Sequence, residues 1–85
     1  MSLRYRLLEM IEPDFGLLDQ LLTLRMLTIR QYAQITRGGY KTVYGRNDAL
    51  LDLLTSDEQC EKFLTALQRT QQQHVVNFIN ENGGQ

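Results

Sequence analysis

The sequence has very little of several residue types, and each shortage excludes a class of protein. It contains one cysteine, one histidine, one proline and no tryptophan in 85 residues. One cysteine cannot close a disulfide within the chain, so a disulfide framework is excluded. One histidine and one cysteine cannot complete a four-ligand zinc site without carboxylates. We therefore expect no bound metal and a domain suited to a reducing compartment.

Long apolar runs and an excess of charge of one sign are also missing. No apolar run approaches the about 18 residues of a membrane-spanning helix, and the N-terminus lacks the apolar core of a signal peptide. Nine basic residues stand against ten acidic ones, a formal net charge of -1. Nucleic-acid-binding domains usually carry a clear basic excess. The composition predicts a soluble, cytoplasmic domain and argues against membrane and nucleic-acid partners.

Apolar residues recur at spacings of three and four, which is the pattern of amphipathic helices. Pro13 and the glycines divide the chain into short helical segments with short connections. This pattern predicts an all-α protein, a six-helix antiparallel bundle that forms a single domain over residues 1–85. The predicted helices cover Leu3–Glu12, Phe15–Leu24, Thr28 to Gly38-Gly39, Thr42–Leu54, Ser56–Arg69, and the segment from Thr70 to Asn82.

Several helix starts carry capping signals. Thr28 and Gln31 fit a capping box, in which each side chain accepts a hydrogen bond from a free backbone N–H of the first turn. Asp14 is the predicted N-cap of the second helix, because it follows Pro13 and precedes a leucine-rich stripe. For the fifth helix the candidate box is either Thr55 with Glu58 or Ser56 with Gln59, and for the sixth helix it is Thr70 with Gln73.

The same spacing predicts which side chains are buried. In the third helix we expect Ile29, Tyr32, Ala33, and either Ile35 or Thr36 to face the core. In the fifth we expect Cys60, Phe63, Leu64 and Leu67 to share the inner face, with Cys60 a buried structural thiol. His74 is expected to face solvent.

No set of residues in the sequence predicts catalysis or cofactor binding. A nucleophile needs a base within reach, and pairing Cys60 with His74 has no supporting motif. The segment Gly38–Thr42 lacks the adjacent Gly-Lys of a phosphate-binding loop and follows a helix, where that motif follows a strand. Asp57, Glu58 and Glu61 are expected to complement the N-terminal end of a helix. We therefore predict no catalytic, cofactor-binding or metal-binding residue.

The ends of the chain lead to a further expectation. Residues 1–3 have the form of an expression-vector remnant, and residues 81–85 end in two glycines, which favours a flexible tail. A vector remnant at residues 1–3 predicts that the domain was excised from a larger protein.

The order of the leucine-rich segments resembles the caspase recruitment domain (CARD) family of the death-fold superfamily. Residues 17–22, LLDQLL, with 26–28 and 32–35, are similar to the second and third helices of CARDs. Residues 47–54, 63–70 and 73–79 are similar to the fourth, fifth and sixth. Two departures lie in loops: residues 55–58 lack the Lys-Gly or Arg-Gly pair of many CARDs, and the third loop is rich in glycine.

The resemblance implies a non-enzymatic adaptor that binds other CARD-containing proteins in apoptotic or innate-immune and inflammatory signalling, with self-oligomerisation as one form of assembly. It also implies a contact between a basic patch on helices one and four and an acidic patch on helices two and three. By position, the basic patch is Arg4, Arg6 and Arg46, and the acidic patch is Asp14 and Asp19. Asp48 lies close to Arg46 in the sequence.

Three alternatives remain open at this point, and one is a purely structural domain that packs against neighbours within its own chain. Other death-fold subfamilies also have six helices and bind proteins. A small helical nucleic-acid-binding domain is another alternative, with Arg30 and Arg37 on its recognition helix. Its phosphate binding would be opposed by Asp14, Asp19, Asp48 and Asp52.

Overall fold

The computed structural model describes residues 3–14, 16–38 and 42–82, and the regular secondary structure in them is helical, without a strand. The predicted all-α, six-helix bundle is confirmed for this part of the chain. The helices are α1 (Leu3–Met10), α2 (Leu17–Thr23), α3 (Ile29–Arg37), α4 (Val43–Asp52), α5 (Asp57–Arg69) and α6 (Gln73–Asn82).

The helices pack around one apolar core. α1 packs against α4 and α6, α2 packs against α3 and α5, and the α3–α4 and α5–α6 pairs close the bundle. Burial of the apolar side chains in this core supplies most of the driving force for folding. The buried apolar residues are Leu7, Ile11, Leu17, Leu18, Leu21, Met26, Leu27, Ile35, Leu50, Phe63, Ala66, Leu67, Val75 and Val76.

The C-terminal end of α1 is held by a buried amide. Pro13 has no N–H, so the helix cannot continue and its last carbonyls lack their usual donors. The Nδ2 group of Asn47, fully buried on α4, donates to the carbonyl oxygens of Leu8 and Ile11 at 3.0 and 2.9 Å. Asn47 thus replaces part of the missing helical hydrogen bonding and fixes α1 against α4.

A second buried amide holds the segment that follows α1. The Nε2 group of Gln72 donates to the Glu12 carbonyl at 3.0 Å, and its Oε1 accepts from the Glu12 N–H at 2.8 Å. Gln72 is 3% exposed and lies between α5 and α6. This pair of hydrogen bonds joins the α1–α2 turn to the α5–α6 turn.

Helix α3 begins as the sequence predicts. Thr28 Oγ1 accepts from the Gln31 N–H at 3.1 Å, and Gln31 Oε1 accepts from the Thr28 N–H at 2.9 Å. The capping box is therefore confirmed. Ser56, not Thr55, is the N-cap of α5, and it accepts from the Gln59 N–H at 3.2 Å.

The predicted Asp14 cap of α2 is wrong. The N-cap is Gly16, which has a φ of 96° and no side-chain hydrogen bond to the helix. That left-handed conformation suits glycine and lets the chain turn after Pro13 before the helix starts. Asp14 instead points to α4, where it meets Arg46. Phe15, the predicted first residue of this helix, lies outside the described residues.

Two predicted buried residues are exposed. Ile29 is 78% exposed, because it is the first residue of α3 and lies outside the core that Ile35 joins. Cys60 is also exposed, so the prediction of a buried thiol is wrong.

The predicted C-terminal ends of the helices differ from the observed ones by up to two residues: α1 ends at Met10 and α4 at Asp52. Residues 81 and 82 belong to α6, and the rest of the predicted tail lies outside the described residues, as do residues 1–2 and 39–41.

Candidate interaction surfaces

Arg4, the first residue of the predicted basic patch, is bound to two carboxylates of α4. Its Nη2 lies 2.6 Å from Asp48 Oδ1 and 2.7 Å from Asp52 Oδ1, and it also donates to the Asp48 carbonyl at 3.1 Å. The hydrogen bond to Asp48 is the main cause that raises the pKa of Arg4 above its usual value. Asp48 and Asp52 are one helical turn apart, so both reach the same guanidinium.

Arg46 and Asp14 were predicted for opposite patches, but they form an ion pair with each other. Arg46 Nη2 donates to Asp14 Oδ2 at 2.7 Å. The Arg46 side chain is 18% exposed and that of Asp14 is 42% exposed. The ion pair therefore connects α4 to the α1–α2 turn, and both charges are largely balanced within the chain.

Arg6 and Asp19, the two remaining residues, are exposed and lie on different helices. The guanidinium carbon of Arg6 lies 5.6 Å from the centre of the Phe78 ring on α6, within the range of a cation–π contact. Asp19 Oδ1 accepts a hydrogen bond from the Tyr32 hydroxyl at 2.6 Å. That hydrogen bond raises the pKa of Tyr32. Neither residue has an ion-pair partner in the described part of the chain.

Sequence reasoning missed the partners of Arg4, and it named Arg30 and Arg37 only for a nucleic-acid contact. Asp48 and Asp52 are partners of Arg4, and their spacing of four residues was the available signal, although the arginine they bind is more than 40 positions away. Arg25, Arg30 and Arg37 are exposed and have no ion pair with a described residue. The sequence has no Asp or Glu between Asp19 and Asp48, and this was the available signal that these arginines lack a carboxylate partner nearby in the chain.

The described residues show little that could perform chemistry. In residues 3–14, 16–38 and 42–82, no three His, Cys, Asp or Glu side chains come together in a way that could hold a metal ion. Cys60 on α5 and His74 on α6 are both exposed. Of the described helices, none has the length and apolar character needed to cross a membrane.

The described residues form a small helical bundle, and its exposed side chains include charged and apolar ones. The sequence model of the CARD family, the caspase recruitment domain, matches residues 2–82. The chain therefore belongs to the CARD family. This family consists of non-enzymatic interaction domains, and membership implies an adaptor role through homotypic protein–protein interaction. Comparison with curated proteins and with solved structures gave no match.

Proposed function

We propose that this chain is a cytoplasmic, non-enzymatic CARD module of a longer protein in apoptotic or innate-immune and inflammatory signalling. It binds CARDs, including further copies of itself, and concentrates the proteins attached to them. The family match over residues 2–82 is the observation that carries this proposal.

Within this proposal, the predicted charge patches contribute unequally. Arg6 and Asp19 are exposed and have no ion pair with a described residue, so they are available for a partner. Arg4, Arg46 and Asp14 are held in ion pairs within the chain. A contact that recruits them has to replace or share those pairs, so we expect a smaller contribution from each.

The proposal is tested by measuring whether the protein self-associates. Light scattering over a concentration series should show the average mass rising above that of the 9.9 kDa chain. Arg6→Glu and Asp19→Lys should each weaken the association, because each reverses a charge at the contact. High salt should weaken the association of the unchanged protein, since exposed charges are screened.

Charge-matched variants on other helices provide the controls. Lys62→Glu on α5 makes the same charge change as Arg6→Glu, and Glu81→Lys on α6 matches Asp19→Lys. These controls should associate like the unchanged protein, and circular dichroism should show that all four variants keep their helices. A protein that stays monomeric at every concentration would contradict self-association, and equal effects of variants and controls would contradict the assignment of Arg6 and Asp19.

A further inference from the structure

An apolar pocket lies where α1, α4, α5 and α6 meet. Its volume is about 180 Å³, and each of these four helices supplies residues to its walls. Phe63 is 2% exposed and Leu7 is 9% exposed, so two of the wall residues also belong to the core of the bundle. We call it the Phe63 pocket and define it by Leu7, Leu54, Cys60, Phe63, Leu64 and Ile79.

The walls of the Phe63 pocket carry almost no polar groups. Among the described residues that line it, Cys60 is the one whose side chain is not a hydrocarbon, and a thiol is only a weak hydrogen-bond donor. A charged or strongly polar molecule would therefore lose its hydration on entry without gaining a partner in the walls. The pocket selects against such molecules.

Two other hollows of similar size have different walls. The hollow between α3 and α4, of about 190 Å³, is lined in part by Gln34 and Asp52. The hollow beside the α1–α2 turn, of about 130 Å³, is lined in part by Asp14 and Asp19. Water can form hydrogen bonds with amide and carboxylate groups in those walls. The Phe63 pocket differs in the chemistry of its walls, and this points to a different occupant.

Water is a poor occupant of the Phe63 pocket. An ordered water needs about 2–4 polar partners, and an apolar cavity of about 150 Å³ lined by Leu, Ile and Phe side chains in another protein stays dry and binds benzene. The Phe63 pocket has the same kinds of side chain and a similar volume. Cys60 is exposed, so the pocket has a side from which a small molecule can enter. A compact hydrocarbon group therefore fits both the walls and the volume.

We propose that the Phe63 pocket binds a neutral apolar small molecule, which is an aromatic ring or a branched aliphatic chain of about six to ten carbon atoms. The ligand packs against Leu7, Phe63 and Ile79, and its entrance lies beside Cys60. Binding is non-covalent and leaves the thiol unchanged. The proposal goes beyond the homotypic function and is independent of it, because no residue of the predicted charge patches lines the pocket.

A ligand in the Phe63 pocket ties α1 to α5 and α6. Leu7 is the buried residue of α1, and the contacts of α1 with α4 include the ion pairs of Arg4 and the hydrogen bonds of Asn47. The ligand adds apolar contacts to a helix that has little buried apolar surface of its own. Because the unfolded chain has no such pocket, binding stabilises the folded protein by mass action.

Toluene and benzoate form a matched pair of probes, because they share the ring and differ in charge. Titrated into the 85-residue chain, toluene should shift the methyl resonances of Leu7, Leu64 and Ile79 in NMR spectra. At about ten times its dissociation constant, it should raise the melting temperature by roughly 5–10 °C. Benzoate at the same concentration should do neither. No binding of toluene, or equal binding of benzoate, would overturn the proposal.

Substitutions that fill the pocket locate the site. Cys60→Phe on α5 and Ile79→Phe on α6 each add a ring from a different wall, and Cys60→Ala and Ile79→Val are their controls. Each Phe variant should weaken toluene binding at least about tenfold, and each control should bind within about twofold of the unchanged protein. Circular dichroism checks the helices, and if one Phe variant unfolds, the other decides. A folded Phe variant that binds toluene as its control does would show that the Phe63 pocket is not the site.

Ligand size gives a second readout. Ile79→Ala enlarges the pocket, so the ratio of butylbenzene affinity to toluene affinity should rise relative to the unchanged protein. An unchanged ratio would contradict binding beside Ile79. Failure of these binding tests leaves the homotypic proposal standing, because self-association is measured without any ligand.

Discussion

The α1–α4 side and the α3 side of this molecule both carry arginines, but the contacts of those arginines differ. On the first side, Arg4 binds Asp48 and Asp52, and Arg46 binds Asp14. On the second side, Arg30 and Arg37 are exposed without an ion pair to a described residue. The comparison teaches that the number of charges on a helix does not define an interaction patch. A charge already paired within the chain stabilises the fold and contributes less to a partner.

Neighbouring carboxylates account for the difference. On α4 the spacing of Asp48 and Asp52 brings two of them to α1, and the turn at Pro13 brings Asp14 to Arg46. Near α3 the neighbouring carboxylate is Asp19, which accepts a hydrogen bond from Tyr32. The α3 arginines therefore remain available to other molecules.

Of the substitutions on the α1–α4 side, Asn47→Leu is expected to lower the free energy of unfolding most. The substitution leaves the carbonyl oxygens of Leu8 and Ile11 without their buried donor. The free energy of unfolding should fall by about 2–3 kcal/mol, since each unsatisfied buried group costs about 1–3 kcal/mol. Chemical denaturation measures this, with Asn80→Leu on the exposed side of α6 as the control. A loss no larger than that of the control would show that Asn47 does not hold α1 to α4.

Removing the arginine of either ion pair is expected to lower the free energy of unfolding by a smaller amount. Arg46→Gln should destabilise the protein by about 1 kcal/mol, and Arg4→Gln by about 0.5 kcal/mol, since exposed ion pairs contribute little and Arg46 is the less exposed of the two. Denaturation of Arg46→Gln, Asp14→Asn and the double variant isolates the coupling between them. Additive effects would mean that the Arg46–Asp14 pair contributes nothing to the fold.

The smallest effect on stability is expected from substitution of Tyr44, and it is confined to alkaline pH. A hydrogen bond with Tyr5 is the main cause that raises the pKa of Tyr44 to about 12. Because the folded pKa lies above the unfolded value near 10, this contribution to stability is complete below pH 10 and is lost as the pH rises through 12. Tyr44→Phe should therefore reduce the loss of stability between pH 10 and 12. An ultraviolet titration of Tyr5→Phe in which one tyrosine still ionises near pH 12 would contradict this assignment.

Local features of the fold were predictable from the sequence, and contacts between distant segments were not. Helix spacing, Pro13 and the Thr28–Gln31 box act within a few residues, and the structure follows them. The α2 start depends on the φ of Gly16, which sequence spacing does not show, so Asp14 was assigned to the wrong role. Ile29 fits the apolar spacing of α3 but lies at its first position, outside the core.

The same limit applies to the candidate surfaces. Arg4, Arg6 and Arg46 are all on α1 or α4, as expected, and Asp19 is on α2. Which of them has a partner within the chain depends on how α1 packs against α4. Arg4 and Asp48 are 44 positions apart, and Arg46 and Asp14 are 32 apart, so no local pattern predicts either pair.

The most direct measurement compares two charge-matched double variants by sedimentation velocity and thermal denaturation. Arg25→Gln/Arg30→Gln removes unpaired charges from the α3 side, and Arg4→Gln/Arg46→Gln removes paired charges from the α1–α4 side. We predict that the first variant weakens self-association by at least about tenfold with an unchanged melting temperature. The second should lower the melting temperature and weaken association less than the first variant does. Weaker association in the second variant with unchanged association in the first would contradict the account.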